Sequence, residues 1–201
     1  MTMEAAVDRR KFGAMVVGGA AALAVAAPAV AQRRRGYIGG GMASLGQLTA
    51  GDWMTQVRSQ HAAIDRIFAS MLSRRGRGGM ANDLMMLKTT LTAHSIAEEV
   101  ALYPGVALLV DRAAGLRLYQ EQQEAKILLA EIDNMATMMN MRGARPDDIT
   151  GRVQTLQAAI RAHVAGEEND AYPRLMRAAP APMNAKMTAD FRMAFTRYFN
   201  G

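Results

Sequence analysis

Two stretches decide the fold: His94-Ser-Ile-Ala-Glu98-Glu99, running on to Tyr103-Pro104, and His163-Val-Ala-Gly-Glu167-Glu168, running on to Tyr172-Pro173. Each carries a histidine and a glutamate four positions apart, which places both side chains on one helical face, about 5–6 Å apart at Cβ. Each lies on an apolar stripe of helical period. The first continues Leu84, Leu87 and Leu91 toward Leu102, and the second continues Val153, Leu156 and Ile160. The two stretches therefore read as copies of one unit.

The same period extends outward. One more stripe precedes the repeat (Val57, His61, Ile64, Phe68, Met71), and another lies between its copies (Leu118, Gln122, Ala125, Leu129, Ile132, Ala136, Met139). The Gly- and Arg-rich segment 74–79, the neighbourhood of Gly143 and the two Tyr-Pro pairs punctuate the helices, because proline cannot donate to the helical ladder. Pro146, followed by Asp147 and Asp148, suits the first turn of the fourth helix. The sequence thus predicts an all-α, up-down-up-down four-helix bundle over 49–178, with a short C-terminal helix as a tail over 179–201.

Composition agrees. Half of the 201 residues are apolar but only 5% are aromatic, and Ala, Leu and Met dominate, a mixture that favours helices over strands. The 17 methionines read as adaptable core filler; no methionine run is paired with Cys or His as a copper site would need. With no cysteine, disulfides, thiolate zinc sites and cysteine nucleophiles are excluded. The net charge is +6. Its basic runs, Arg33-Arg34-Arg35 and Arg74-Arg75-Gly76-Arg77, lack interleaved aromatics, so no nucleic-acid partner is expected.

The N-terminus reads as an address. Arg9-Arg10-Lys11-Phe12, the weakly apolar run from Gly13 to Ala27, and Ala29-Val30-Ala31 are the three parts of a secretory signal. The Arg-Arg-x-Phe portion resembles a twin-arginine signal, departing from the usual pattern at Asp8 and Gly13. Cleavage is expected after Ala31, giving a periplasmic or otherwise exported protein. A flexible leader is expected over 32–48. An ordinary export signal is an alternative. A retained membrane anchor fits poorly, because the run is short and rich in Ala and Gly.

The chemistry sits on the stripes. All three histidines (His61, His94 and His163) interrupt apolar faces, and each has an acid four residues later: Asp65, Glu98 and Glu167. A carboxylate forced into a core costs several kcal/mol, even after relaxation, when left unpaired. A cation between two such carboxylates removes both the burial cost and their repulsion. Neutral imidazole with carboxylate suits iron, manganese or zinc. The alternative is local pairing of each His with its Glu, or with Arg117 or Arg161. Glu99 and Glu168, one position around the helix, are read as solvent-facing or supporting residues, and Asp65 as a surface pair.

These motifs, His61-Ala-Ala-Ile-Asp65, His94 to Pro104, Glu121 to Ile132 and His163 to Leu175, resemble the hemerythrin-like family with its His-His-Glu cation-binding domain. The resemblance spans residue 53 to about 177. It implies a non-haem diiron centre that handles iron or binds or senses oxygen or nitric oxide. By position, His61 and His94 would serve one iron, Glu98 and Glu167 would bridge, and His163 would serve the second. Where a further histidine is expected on the third helix, this chain has Gln122. The implied site is therefore asymmetric, one metal position well furnished and the other weak, with Gln122, Glu121 and Tyr119 as weak or supporting groups. No substrate-pocket signature, partner base or separate substrate domain is legible, which favours a binding protein over a diiron oxidase or peroxidase. A metal-free bundle acting as an interaction module is the third reading. No protein partner is legible.

Overall fold

The computed structural model describes residues 45–73, 77–142 and 146–200. The expected signal peptide (1–31), most of the expected leader, Arg74-Arg75 and Gly143 lie outside them. Among the described residues there is no strand, and no helix is long and apolar enough to cross a membrane.

Four long helices carry the four stripes: α1 (Trp53–Ser73), α2 (Arg77–Ala101), α4 (Arg112–Arg142) and α5 (Pro146–Gly166). Two short helices, α3 (Tyr103–Leu109) and α6 (Tyr172–Ala178), and a C-terminal helix, α7 (Ala181–Asn200), complete the chain. The starts of α1 and α4 are written locally. Asp52 Oδ1 accepts from the Thr55 backbone N–H at 2.9 Å and Asp111 Oδ1 from that of Ala113 at 2.9 Å, satisfying donors that the first helical turn leaves free. Gly51, at φ 119°, takes the left-handed turn into that cap, a conformation other residues adopt only with strain.

Neighbour relations close a ring: α1 packs on α2, α2 on α4, α4 on α5 and α5 on α1. Inside the ring are two apolar clusters. One contains Trp53, Val57, Leu102, Leu118 and Ala171; the other contains Ile64, Leu91, Ala125 and Ile160. Each long helix also buries polar residues at the junction of the two clusters: His61 on α1, His94 and Glu98 on α2, Gln122 on α4 and His163 on α5. The polar belt is thus a layer of the bundle, walled above and below by hydrocarbon.

One expectation changes. Helix formation does not stop at the Tyr-Pro pairs. Pro104 and Pro173 each stand in the first turn of a new helix, where a missing N–H costs nothing. The ladder is interrupted just upstream instead, at Leu102 (φ −113°) and in a π-helical turn, Glu167–Ala171. The expected C-terminal helix packs on the bundle. Helix α7 has 20 residues, and its Met187, Phe191, Ala194 and Phe195 are buried in the first cluster. It is fastened by the Trp53 indole, which donates to Asn184 Oδ1 at 2.9 Å, and by the Trp53 backbone N–H, which donates to Thr188 Oγ1 at 3.1 Å.

Candidate metal centre

The belt brings together the five residues singled out from the sequence. His61, His94 and Glu98 form one group whose ligand atoms lie within 4.8 Å of one another; Glu98, His163 and Glu167 form a second, sharing Glu98. Glu98 and Glu167 have no exposed surface, and the three histidines are buried.

Each ring is held by a partner on its Nδ1. Glu168 lies 2.7 Å from His61 Nδ1, Gln60 Oε1 is 2.8 Å from His94 Nδ1, and Glu121 is 2.8 Å from His163 Nδ1. All three rings therefore turn Nε2 toward the carboxylates. His94 Nε2 is 3.2 Å from Glu98, His163 Nε2 is 3.2 Å from Glu167, and His61 Nε2 is 3.4 Å from Glu167 and 3.8 Å from Glu98. Donors bound about 2.1 Å from one ion at angles between octahedral and tetrahedral lie roughly 3.0–3.4 Å apart, so most of these separations are those of a shared ion.

Satisfaction is uneven. His61 Nε2 and Glu167 Oε2 are buried, face each other, and have no hydrogen-bond partner. Buried polar atoms are nearly always paired, so two orphans facing each other mark a place that fits a cation. Glu98 is different: Gln122 Nε2 donates to it at 2.7 Å, and the hydroxyls of Tyr172 and Tyr103 lie 2.8 Å and 3.3 Å away. Both hydroxyls also lie 2.8 Å from Glu167 Oε1, and that of Tyr103 is 3.0 Å from His163 Nε2. The second group is thus already occupied by phenol oxygen.

Charges respond to this crowding. Burial, then the neighbouring Glu167 charge, pushes the Glu98 carboxyl up to about 8. Burial would raise Glu167 too, but the charge of His163, its hydrogen bond and His61 hold it below the usual carboxylate range. Burial alone would lower His61 and His163. The carboxylates Glu167 and Glu168 outweigh it and push His61 up to about 10, and Glu167 pushes His163 up to about 9. His94, lowered first by burial and then by the charge of His61, stays neutral. The phenols of Tyr103 and Tyr172 are raised by burial and then by the two glutamates, so both remain donors. A cation entering the centre has to displace the protons on His61 and His163, so its binding releases protons.

The weaker candidates separate. Gln122 points inward, with its Nε2 on Glu98 and its Oε1 unpartnered. Glu121 acts through His163. Tyr119 turns away: its hydroxyl donates to the Glu99 backbone carbonyl at 2.7 Å, which removes it from the ligand candidates. Asp65 pairs with Arg161 at 2.7 Å. Sequence reasoning missed Gln60, Tyr103 and Tyr172. The tyrosines carried a signal, since each follows its glutamate by five residues in both copies of the repeat, but the adjacent prolines drew attention to helix ends.

A helical bundle with a buried layer of three imidazoles and two carboxylates defines the class of cation-binding helical proteins. The hemerythrin HHE cation-binding domain family matches residues 54–175, which include every residue of that layer, and the chain belongs to this family. It is also similar to a DNA nickase from Nostoc sp., with 24% identity over 139 residues, 65% of this chain and 40% of that relative. The chain thus spans well under half of that relative's length. No solved structure matches.

Proposed function

We propose that this chain is an exported, non-haem iron-binding protein of the cell envelope, holding iron through His61, His94, Glu98, His163 and Glu167. The observation that carries this reading is the pair of unpartnered buried atoms, His61 Nε2 and Glu167 Oε2, 3.4 Å apart. Iron there would supply a redox-active Lewis acid able to bind a small molecule such as oxygen or nitric oxide. Manganese and zinc suit the same donors. Glu168, Gln60 and Glu121 fix the ring orientations, a role that typically affects metal affinity 10–100-fold.

The site is asymmetric. One position lies between His61, His94 and the carboxylates. The second has His163 and the carboxylates, but Gln122 in place of a histidine, with the Tyr103 hydroxyl already bonded there. The four long helices run up-down-up-down, so that alternate helices present their polar residues at one level. Export rests on Arg9-Arg10-Lys11-Phe12 and the Ala29-Val30-Ala31 end.

Protein purified without chelator should carry one tightly held iron per chain by elemental analysis. Two tightly held irons overturn the asymmetry, and none overturns the site. The metal-free reading has two observations in its favour, the full set of donors on Glu98 and the ion pair that a protonated His61 makes with Glu167 at 3.4 Å. The nickase activity of the relative is not carried over, because carboxylates without exposed surface give a duplex phosphodiester no access.

A further inference from the structure

Glu98 and Glu167 have no exposed surface, so anything that reaches them must pass between side chains. A small void of about 10 Å³ touches the centre, bordered by His61, His94, His163 and Gln122. That is room for about one water-sized guest. Outside, a groove of about 440 Å³ runs between α1 and the α5–π-turn segment. The groove and the void share four bordering residues: His61, Ile64, Ile160 and Val164. A single layer of side chains, His61 among them, therefore separates the surface groove from the void and from His94 and His163.

The groove is held to width by ion pairs. Arg161 on α5 bonds Asp65 on α1 through Nε at 2.9 Å and Nη2 at 2.7 Å, and Arg58 lies 3.8 Å from Glu168. Between these pairs the floor is aliphatic. Ile64 and Ile160 are buried in the second apolar cluster, whereas Val164 is only partly buried. Val164 lies in the last turn of α5, immediately before the π-turn, so of the three it is the least confined. Rotamer changes of such side chains are fast compared with ligand binding.

We propose that this groove is the entrance to the metal centre and that Ile64, Ile160 and Val164 are its gate. The gate admits uncharged molecules of one or two heavy atoms. The void sets the size. The aliphatic wall sets the charge, since an ion crossing it would shed water against groups that offer no hydrogen bond. This inference rests on the iron-binding reading above.

The test measures nitric oxide association with anaerobic ferrous protein by stopped flow, with iron content determined in every preparation. Ala165→Trp fills the groove from an exposed position in its lining and should slow association several-fold. Val164→Ala thins the gate and should speed it several-fold. Leu108→Trp, at a residue 73% exposed and outside the groove, should leave the rate unchanged. Equal iron content with these opposed changes supports the route. Rates that stay at the wild-type value, move in the same direction, or fall equally with Leu108→Trp overturn it while leaving the metal site standing. A wild-type protein that holds no iron overturns both.

Discussion

On the proposed reading, Gln122 and Tyr103 limit the second metal position. A histidine at 122 alone would meet a place where the Tyr103 hydroxyl is already bonded to His163 and Glu167. Gln122→His should therefore add little second-site iron, whereas Gln122→His with Tyr103→Phe should raise the content toward two per chain. A single Gln122→His that fills the second position would show that the phenol does not compete. Titration gives a second prediction at this scale. The values of about 10 for His61 and about 9 for His163 lie above the unfolded value of 6.5. The stability they contribute is full below pH 6.5 and is lost as pH rises through 9–10. Glu98, raised from 4.5 to about 8, loses its favoured neutral form in the same direction. Metal-stripped protein should melt at progressively lower temperature from pH 6.5 to 10; a flat or rising profile would contradict the assigned charge states.

Among the elements, α7 is the one whose role the bundle pattern does not announce. It closes the end of the first apolar cluster and sets Phe191 edge-on to His94, at a centroid distance of 6.4 Å. Phe191 has no exposed surface, so Phe191→Ala should cost about 3–5 kcal/mol, as for other large-to-small core changes. Urea unfolding measures this, and a loss below 1 kcal/mol would mean that α7 is docked only loosely. The α3–α4 contact is also tight: a Cβ on Gly115 would come within 2.9 Å of the Ala107 backbone, which fixes glycine there. The π-turn has a visible consequence too. It follows directly on the apolar stripe of α5, with Glu167 meeting His61 Nε2 and Glu168 meeting His61 Nδ1, so consecutive acids serve one ring from two sides.

For the molecule as a whole, the proposed metal binding couples to folding, because the layer that would hold the ion lies between the two apolar clusters. An ion that binds only the folded chain adds about 2.7 kcal/mol at a free concentration 100-fold above its Kd. Chelation should therefore lower the melting temperature of the purified protein, and an unchanged transition would favour the metal-free reading. Much of this architecture is legible in one dimension. Helical period, the three histidines on apolar stripes, the paired His-x-x-x-Glu units and the odd residue Gln122 all follow from the backbone repeat of 3.6, which fixes what shares a face. Spacing along a helix says nothing about what meets across helices. That His61 opposes Glu167 and Glu168, that Tyr103 and Tyr172 insert between the glutamates, that Gln60 holds His94, and that α7 belongs to the core were decided only when the helices packed together and brought residues from 34 to 135 positions apart within hydrogen-bond reach.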